Sequence, residues 1–401
     1  TIATARLDTG TAANKIVVLD GSAKIPAVDG SLLTGIVSYT KSASDPTIST
    51  NPSGGVGTEW VNHTTGKQFI CTDATAGANV WSCSGSHSGN VVPSFYGGDT
   101  YGYVAGGQAG GVDWAPPHFV SNQISRFAFA SGNASDFGSD LAVAVRYNAG
   151  ASSSTHGYSV AGLKNAAPYP VDHIQKYALA SSANATDVGN ASAAKEGMQG
   201  HNSETYGYHS GGWPAISDIG KWAFASDGNS TDVGDLTSTG SFAPAASDAL
   251  NSYGYTTLGG VTQNILKFSF ISDGNAVDTT QDLFRGVSHA SSFSSNTHGY
   301  AAGGGDLPAP ATNDVIQKWA FNSSVNATDV GNLVQPTNYC MATHPCSLTY
   351  GYVIGGEYPA GGGHPGGALN SYQKFPFASD TNSTDVGDLS ERVYAPSFAQ
   401  L

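Results

Sequence analysis

Thr205-Tyr206-Gly207-Tyr208 leads into Gly211-Gly212, then Ile219-Gly220-Lys221-Trp222-Ala223-Phe224-Ala225, a turn at Ser226-Asp227-Gly228-Asn229, and Thr231-Asp232-Val233-Gly234-Asp235-Leu236. The phrase occurs six times. Its Gly-Tyr element stands at Gly102-Tyr103, Gly157-Tyr158, Gly207-Tyr208, Gly254-Tyr255, Gly299-Tyr300 and Gly351-Tyr352, so the steps are 55, 50, 47, 45 and 52 residues by subtraction. Self-similarity at such a period decides the fold before any local pattern does.

Each repeat holds three strand-like pieces: Tyr-Gly-Tyr-x-x-Gly-Gly, an alternating Ile-x-Lys-aromatic-x-Phe-Ala, and Thr-Asp-Val-Gly-Asp-Leu. A fourth strand is expected between that Leu and the next Gly-Tyr, for example within 237–250, and no helix-period segment exceeds two turns. Four short strands, repeated six times, predict an all-β, six-bladed β-propeller, inside the usual range of about four to eight blades. One blade cannot bury its own faces, so the ring is the cooperative unit. A Gly pair is expected to let inner strands crowd around a central channel. The recurring Asn (Asn133, Asn184, Asn229, Asn275, Asn326, Asn382) suits a left-handed turn position.

Ring closure follows from counting. From the closing Leu to the next Gly-Tyr is 16 residues (141 to 157) or 18 (236 to 254), yet only 12 residues follow Leu389. Pro396-Ser397-Phe398 matches Pro93-Ser94-Phe95, and overlaying them gives 7 (389 to 396) plus 9 (93 to 102), or 16. Residues 390–401 are therefore expected to supply the missing strand of the first blade and to remove the open edges.

These repeats resemble kelch repeats, in which a hydrophobic strand ends in Gly-Gly and is followed by an aromatic strand, a turn and a closing Leu. They depart from kelch in two ways. Asp-Val-Gly-Asp-Leu replaces the usual Trp of the last strand, and the second repeat has Ala161-Gly162-Leu163 where Gly-Gly is expected. The wording Ile-Gln-Lys-Phe-x-Phe-Ala-Ser-x-x-Asn-x-Thr-Asp-Val-Gly-Asp-Leu is more similar to kelch-like repeats in tail fibres and other structural proteins of bacteriophages, particularly marine ones, over roughly 88–401. Residues 13–36, with short strands punctuated by Asp-Gly and Pro, resemble a linker and trimerisation element of such fibres. Residues 37–87 read as a small module of two hairpins turning at Thr65-Gly66 and Ala76-Gly77, and about 50 residues make a marginal core.

The expected domains are thus a fibre or attachment segment over 1–36, a small β-module over 37–87 and the propeller over 88–401. The resemblance implies a virion tail-fibre or receptor-binding protein, extracellular and homotrimeric. Its N-terminal segment would meet other tail proteins, and its propeller would attach to a host-surface glycan or protein. Two alternatives are a decoration subunit of a virion or filament, and a glycan-degrading tail spike. The loops after Gly-Gly (108–123, 164–173, 213–218, 261–264, 305–315 and 357–371) vary in length, unlike the Asn turns, and carry Trp114, His118, Phe119, Tyr169, Trp213, Tyr358 and His364. One varied, aromatic-bearing face on a rigid scaffold is the arrangement expected of a binding surface.

A net charge of −14 with only 11% charged residues argues against phosphate-led nucleic-acid binding. No apolar run of membrane-spanning length and no signal peptide is visible, and a first residue other than Met implies a processed chain or part of a longer one. Cys71 and Cys83 flank a hairpin and invite a cross-strand disulfide. Cys340 and Cys346 bracket a short loop and could pair. With His344 they offer three metal ligands, without an apparent fourth. Asp227 to Asp232 has calcium-like oxygen spacing, but Ser131, Ser182 and Ser324 stand at the Asp227 position elsewhere, and a hydrogen-bonded turn explains all six repeats. No cofactor and no catalytic set is expected. The recurring acids Asp232, Asp329 and Asp385 read as architectural, and Thr155-His156 and Thr297-His298 as packing variants. The Asn-x-Ser/Thr sites at Asn62, Asn133, Asn184, Asn190, Asn229, Asn322, Asn326 and Asn382 fall mostly on the repeated turn.

Overall fold

The computed structural model describes residues 39–84, 100–110, 119–167, 169–249, 251–306, 311–340, 343–358 and 367–400. The expected attachment segment, 1–36, lies outside them. The chain divides into two compact units between Pro93 and Ser94. Among the described residues both are all-β, and no helix is long and apolar enough to cross a membrane.

In the smaller unit Glu59–Asn62, Gln68–Asp73 and Val80–Ser84 form two successive antiparallel hairpins, turning where expected, with Gly66 and Gly77 at positive φ. A fourth strand, Tyr39–Ser42, joins the edge in parallel with Glu59–Asn62, which the sequence did not suggest. Phe69, Cys71 and Trp81 form the core, and Trp60 meets Trp81 edge-on at 5.8 Å. Cys71 lies opposite Trp81 and Cys83 opposite Phe69, so the two cysteines are diagonal neighbours. That spacing, about 7–8 Å, exceeds disulfide reach. Cys71 is accordingly a free thiol.

Among the described residues the larger unit has six main antiparallel sheets, here I to VI, besides smaller ribbons. Sheet II runs Ala149–Ser152, His156–Gly162, Val171–Ala178, Thr186–Asn190, in that spatial order. Sheets III (Gln199–Asn202 to Thr231–Asp235), IV (Ala245–Asp248 to Val277–Asp282) and V (Ser291–Ser294 to Thr328–Asn332) repeat the plan. Sheet VI has Tyr350–Ile354, Ser371–Pro376 and Thr384–Asp388. Sheet I combines Tyr101–Ala105, Gln123–Ala128 and Ser135–Asp140 with the far end of the chain: Ser397–Gln400 pairs antiparallel with Tyr101–Ala105. The C-terminal segment thus returns to the first sheet as counted.

Side chains of the repeated phrase join each sheet to the next. The Tyr of Gly-Tyr stacks on the Phe near the end of the next sheet's second piece: Tyr158 on Phe224 (5.0 Å), Tyr208 on Phe270 (4.6 Å), Tyr255 on Phe321 (4.7 Å), Tyr300 on Phe377 (5.0 Å) and Tyr352 on Phe129 (5.1 Å). The last pair joins sheet VI to sheet I. Sheet II has Leu179 at the Phe position, and Tyr103 donates to its carbonyl at 2.5 Å. Offset stacking adds about 0.5–1.5 kcal/mol per pair beyond burial. Six buried clusters result, one at each sheet-to-sheet junction, that between VI and I included.

The recurring Asn is not left-handed. At this turn positive φ falls on Asp227-Gly228 and Asp273-Gly274, ahead of the Asn. The Asn is instead an inter-sheet clasp. Its Oδ1 accepts a backbone N–H from the outer strand of the preceding sheet at all six junctions: Asn184 from Asp140, Asn229 from Asn190, Asn275 from Asp235, Asn326 from Asp282, Asn382 from Asn332, and Asn133 from Asp388. The Gly pair also differs from expectation. It forms a left-handed corner (φ 60° and 124° at Gly211-Gly212), and Ala161 accepts φ 55° in the one repeat lacking the first Gly. The second Gly reaches the next connection, as when Gly212 N–H donates to Gly240 O at 2.8 Å and Gly356 N–H to Val393 O at 2.9 Å. It is Gly150 and Gly200 that crowd at the innermost strands, where a methyl on Gly200 would overlap the Gly150 carbonyl.

Candidate binding face

The loops and the Asn turns lie at opposite ends of each sheet's third strand, so the unit has a loop end and a turn end. At the loop end, in five of the six sheets, the chain leaving the Gly corner is stitched to the connection that leads into the same sheet. Leu163 bridges Arg146, Trp213 bridges Glu196, Gly305 bridges Ser288, Glu357 bridges Asn338, and Gln108 pairs with Tyr394. Longer loops add two-stranded ribbons, among them Glu357–Tyr358 with Gly367–Ala368.

Of the seven aromatic and histidine residues expected on this face, Trp114, His118 and His364 lie outside the described residues. Phe119, Tyr169 and Trp213 are 50%, 60% and 53% exposed, respectively, so they are available for contact. Tyr358 is half-buried in its ribbon.

Within this rim lies a feature the sequence reading missed. Each connection places one residue in the left-handed region six positions after the closing residue of the preceding sheet. These are Ala395 (φ 53°), Tyr147 (57°), Gly197 (64°), Phe242 (55°), His289 (58°) and Tyr339 (51°). Their backbones form a closed cycle of hydrogen bonds. Tyr147 N–H donates to Ala395 O (2.9 Å), Gly197 to Tyr147 (2.8 Å), Phe242 to Gly197 (2.7 Å), His289 to Phe242 (2.8 Å), Cys340 beside Tyr339 to His289 (3.2 Å), and Ala395 to Tyr339 (2.8 Å). A left-handed non-glycine residue costs on the order of 1–3 kcal/mol and persists where its surroundings over-determine it. This cycle does so.

The side chains on the cycle gather into an aromatic floor. Phe242 stacks on His289 at 4.5 Å, His289 meets Tyr339 at 4.3 Å, and Tyr147 meets Phe242 at 5.5 Å edge-on and Tyr339 at 6.2 Å. All four are half-buried, over a fully buried Tyr394. Burial pushes the Tyr394 hydroxyl up to about 12 and holds His289 down to about 4, so the imidazole is neutral at pH 7. Arg146 Nη1 donates to the Tyr394 hydroxyl at 3.2 Å, and its guanidinium lies 5.0 Å from the Tyr147 ring centre. The buried Nε–H of Arg146 has no partner among the described residues. Burial raises Glu357 to about 7, and raises Glu196 against the opposing pull of Arg146.

Deeper along the axis, the inner position of sheet VI is taken by Thr343–Cys346. His344 Nε2 lies 3.1 Å from Gly200 O and 3.2 Å from Ser247 Oγ, and Thr343 donates to Gly150 O at 3.4 Å. Cys340 and Cys346 are free thiols, both pushed up to about 12 by burial, so neither is a ready nucleophile or ligand. They are not bridged, and no three His, Cys, Asp or Glu among the described residues converge as a metal site. At the turn end each recurring Asp serves its own chain, as Asp232 Oδ1 accepts Gly234 N–H at 3.1 Å and Asp329 accepts Gly331 N–H at 3.2 Å. Thr155 and Thr297 pair with the Nδ1 of the following His at 2.8 Å in both cases, one local motif used twice.

Sheet III is built differently in its interior. In sheets II, V and VI, Gln175, Gln317 and Gln373 clamp backbone amides of the incoming connection, whereas Ser125 and Leu266 stand at that position in sheets I and IV and Gly220 in sheet III. His209 fills the space and meets Ser230 Oγ at 2.9 Å. Buried Lys195 and exposed Ser192 both donate to Asp218. Burial raises the Asp218 pKa, but these hydrogen bonds outweigh it and hold the carboxyl below its ordinary range. The cluster replaces the Gln clamp.

Compared with known protein families and with curated proteins, the chain matches none.

Proposed function

We propose that the six sheets are the blades of a six-bladed, kelch-like β-propeller, and that this propeller is the receptor-binding part of a phage tail fibre. Its loop end attaches the particle to a glycan or protein on the host surface. The observation that carries this reading is the contrast between the ends. The turn end repeats one Asn clasp six times, whereas the loop end sets exposed Phe119, Tyr169 and Trp213 around a backbone cycle that cannot easily deform. Exposed aromatics on a rigid frame suit recognition, because little conformational entropy is lost on contact.

In this reading residues 1–36 gather three chains and join them to other virion proteins, so three propellers act together outside the cell. Multivalency lets weak single contacts give firm attachment. The reading needs no cofactor and assigns no catalysis.

Electron cryomicroscopy of the native assembly tests it. The expected result is a trimer whose loop ends face outward. If neighbouring subunits cover Phe119, Tyr169 and Trp213, attachment by this face is wrong and the protein is a decoration subunit.

A further inference from the structure

Four half-buried rings, Tyr147, Phe242, His289 and Tyr339, share one floor at the centre of the loop end, and each springs from a backbone atom locked in the hydrogen-bonded cycle. A purely structural plug would need only apolar groups there. This one is bordered by polar groups with unused capacity. The Arg146 Nε–H is buried without a partner among the described residues, and an unmet buried donor costs about 1–3 kcal/mol. The Glu357 carboxyl is raised by burial to about 7, so near neutral pH it both donates and accepts. Its backbone is held by two bonds to Asn338, beside Tyr339: Glu357 N–H to Asn338 O at 2.6 Å, and Asn338 N–H to Glu357 O at 2.9 Å. Glu196 borders the same cycle next to Gly197, whose missing side chain leaves room filled by the Phe242 ring.

The ligand that answers this set has an apolar face for the rings and a rim of groups that both donate and accept. An anion would meet Glu196 and Glu357 as well as Arg146. A wholly apolar segment would leave the Arg146 donor unpaired. A pyranose offers a face of C–H bonds and equatorial hydroxyls. We infer that the axial aromatic floor is a subsite for one neutral pyranose residue of a surface glycan, stacked on Tyr147 and Tyr339 and hydrogen-bonded by Arg146 and Glu357. The inference rests on the attachment reading and names the ligand class and the place.

Saturation-transfer NMR on the full chain, with the methyl pyranosides of glucose, galactose, mannose, rhamnose and N-acetylglucosamine as probes, tests it. At least one probe should receive saturation and should move the His289 Cε1–H resonance. Tyr147→Ala and Tyr339→Ala should each weaken that binding at least tenfold, while Asn275→Ala at the turn end leaves it unchanged. The His289 resonance is read in the native protein, so the result stands even if a Tyr variant folds poorly. If no probe moves it, or if binding survives both Tyr variants, the inference fails. Failure with the loop ends exposed on the assembly leaves the attachment reading in place; loop ends covered by subunits remove both.

Discussion

The two ends of the larger unit solve the same problem, holding six sheets together, in opposite ways. At the turn end a side chain does it: the Asn clasp needs one residue type, and the sequence shows Asn six times. At the loop end the backbone does it: the cycle through Tyr147, Gly197, Phe242, His289, Tyr339 and Ala395 needs a left-handed conformation but no given side chain. A junction made by a side chain fixes the sequence. A junction made by the backbone frees it, and the freed positions here carry the aromatic floor.

The comparison can be broken most severely by removing what joins both ends into one cycle. Deleting residues 397–400 takes away the strand paired with Tyr101–Ala105 and the Phe398 contribution to the VI–I junction. The expected outcome in calorimetry is loss of the larger unit's cooperative transition; an unchanged transition would mean the closing strand is dispensable. Next comes Tyr208→Ala, which empties the III–IV junction between the two ends. Truncating a buried aromatic costs about 3–5 kcal/mol, measurable in urea, with no preference for either end.

Acid should act through the axis. Burial holds His344 down to about 4 against an ordinary value of 6.5. Below pH 6.5 the unfolded chain takes up a proton that the folded chain does not, so this contribution to stability is full above 6.5 and is lost as pH falls toward 4. The interval is 2.5 units (6.5 minus 4), on the order of 3 kcal/mol. Glu357, raised to about 7, works in the opposite direction over part of the same range, so the useful reading is native protein against His344→Gln. The native advantage should shrink on acidification from pH 7 to 4; parallel curves would show that His344 is not held neutral. The smallest effect belongs to one clasp. Asn275→Ala should cost about 1 kcal/mol and leave the loop end untouched, because five like clasps remain.

How much was legible follows the same division. The period, the strand pieces, the two small hairpins and the returning C-terminal strand could be read because each depends on residue type or on counting. The role of Asn could be half read: it was recognisable as a turn residue, but its acceptor serves the preceding sheet, about 40 or more positions away in sequence. The aromatic floor was not legible as a pattern, because Tyr, Gly, Phe, His, Tyr and Ala share only a backbone angle. One signal was present. Each stands six residues past Leu141, Ala191, Leu236, Leu283, Leu333 or Leu389. The fourth strand of the small module, Tyr39–Ser42, pairs in parallel and so leaves no turn to mark it.

The closing strand also sets a timetable. Tyr101–Ala105 leaves the ribosome long before Ser397–Gln400: from 140, the end of sheet I's last early strand, to 397 is 257 residues. At about 5–20 residues per second that is roughly 13 to 50 s of synthesis, during which the strand edge carrying Tyr103 and Val104 awaits its partner. A nascent chain in that interval is open to pairing with the same edge of another copy, so expression should favour slow crowding of polysomes, low temperature or a chaperone that shields extended apolar strands.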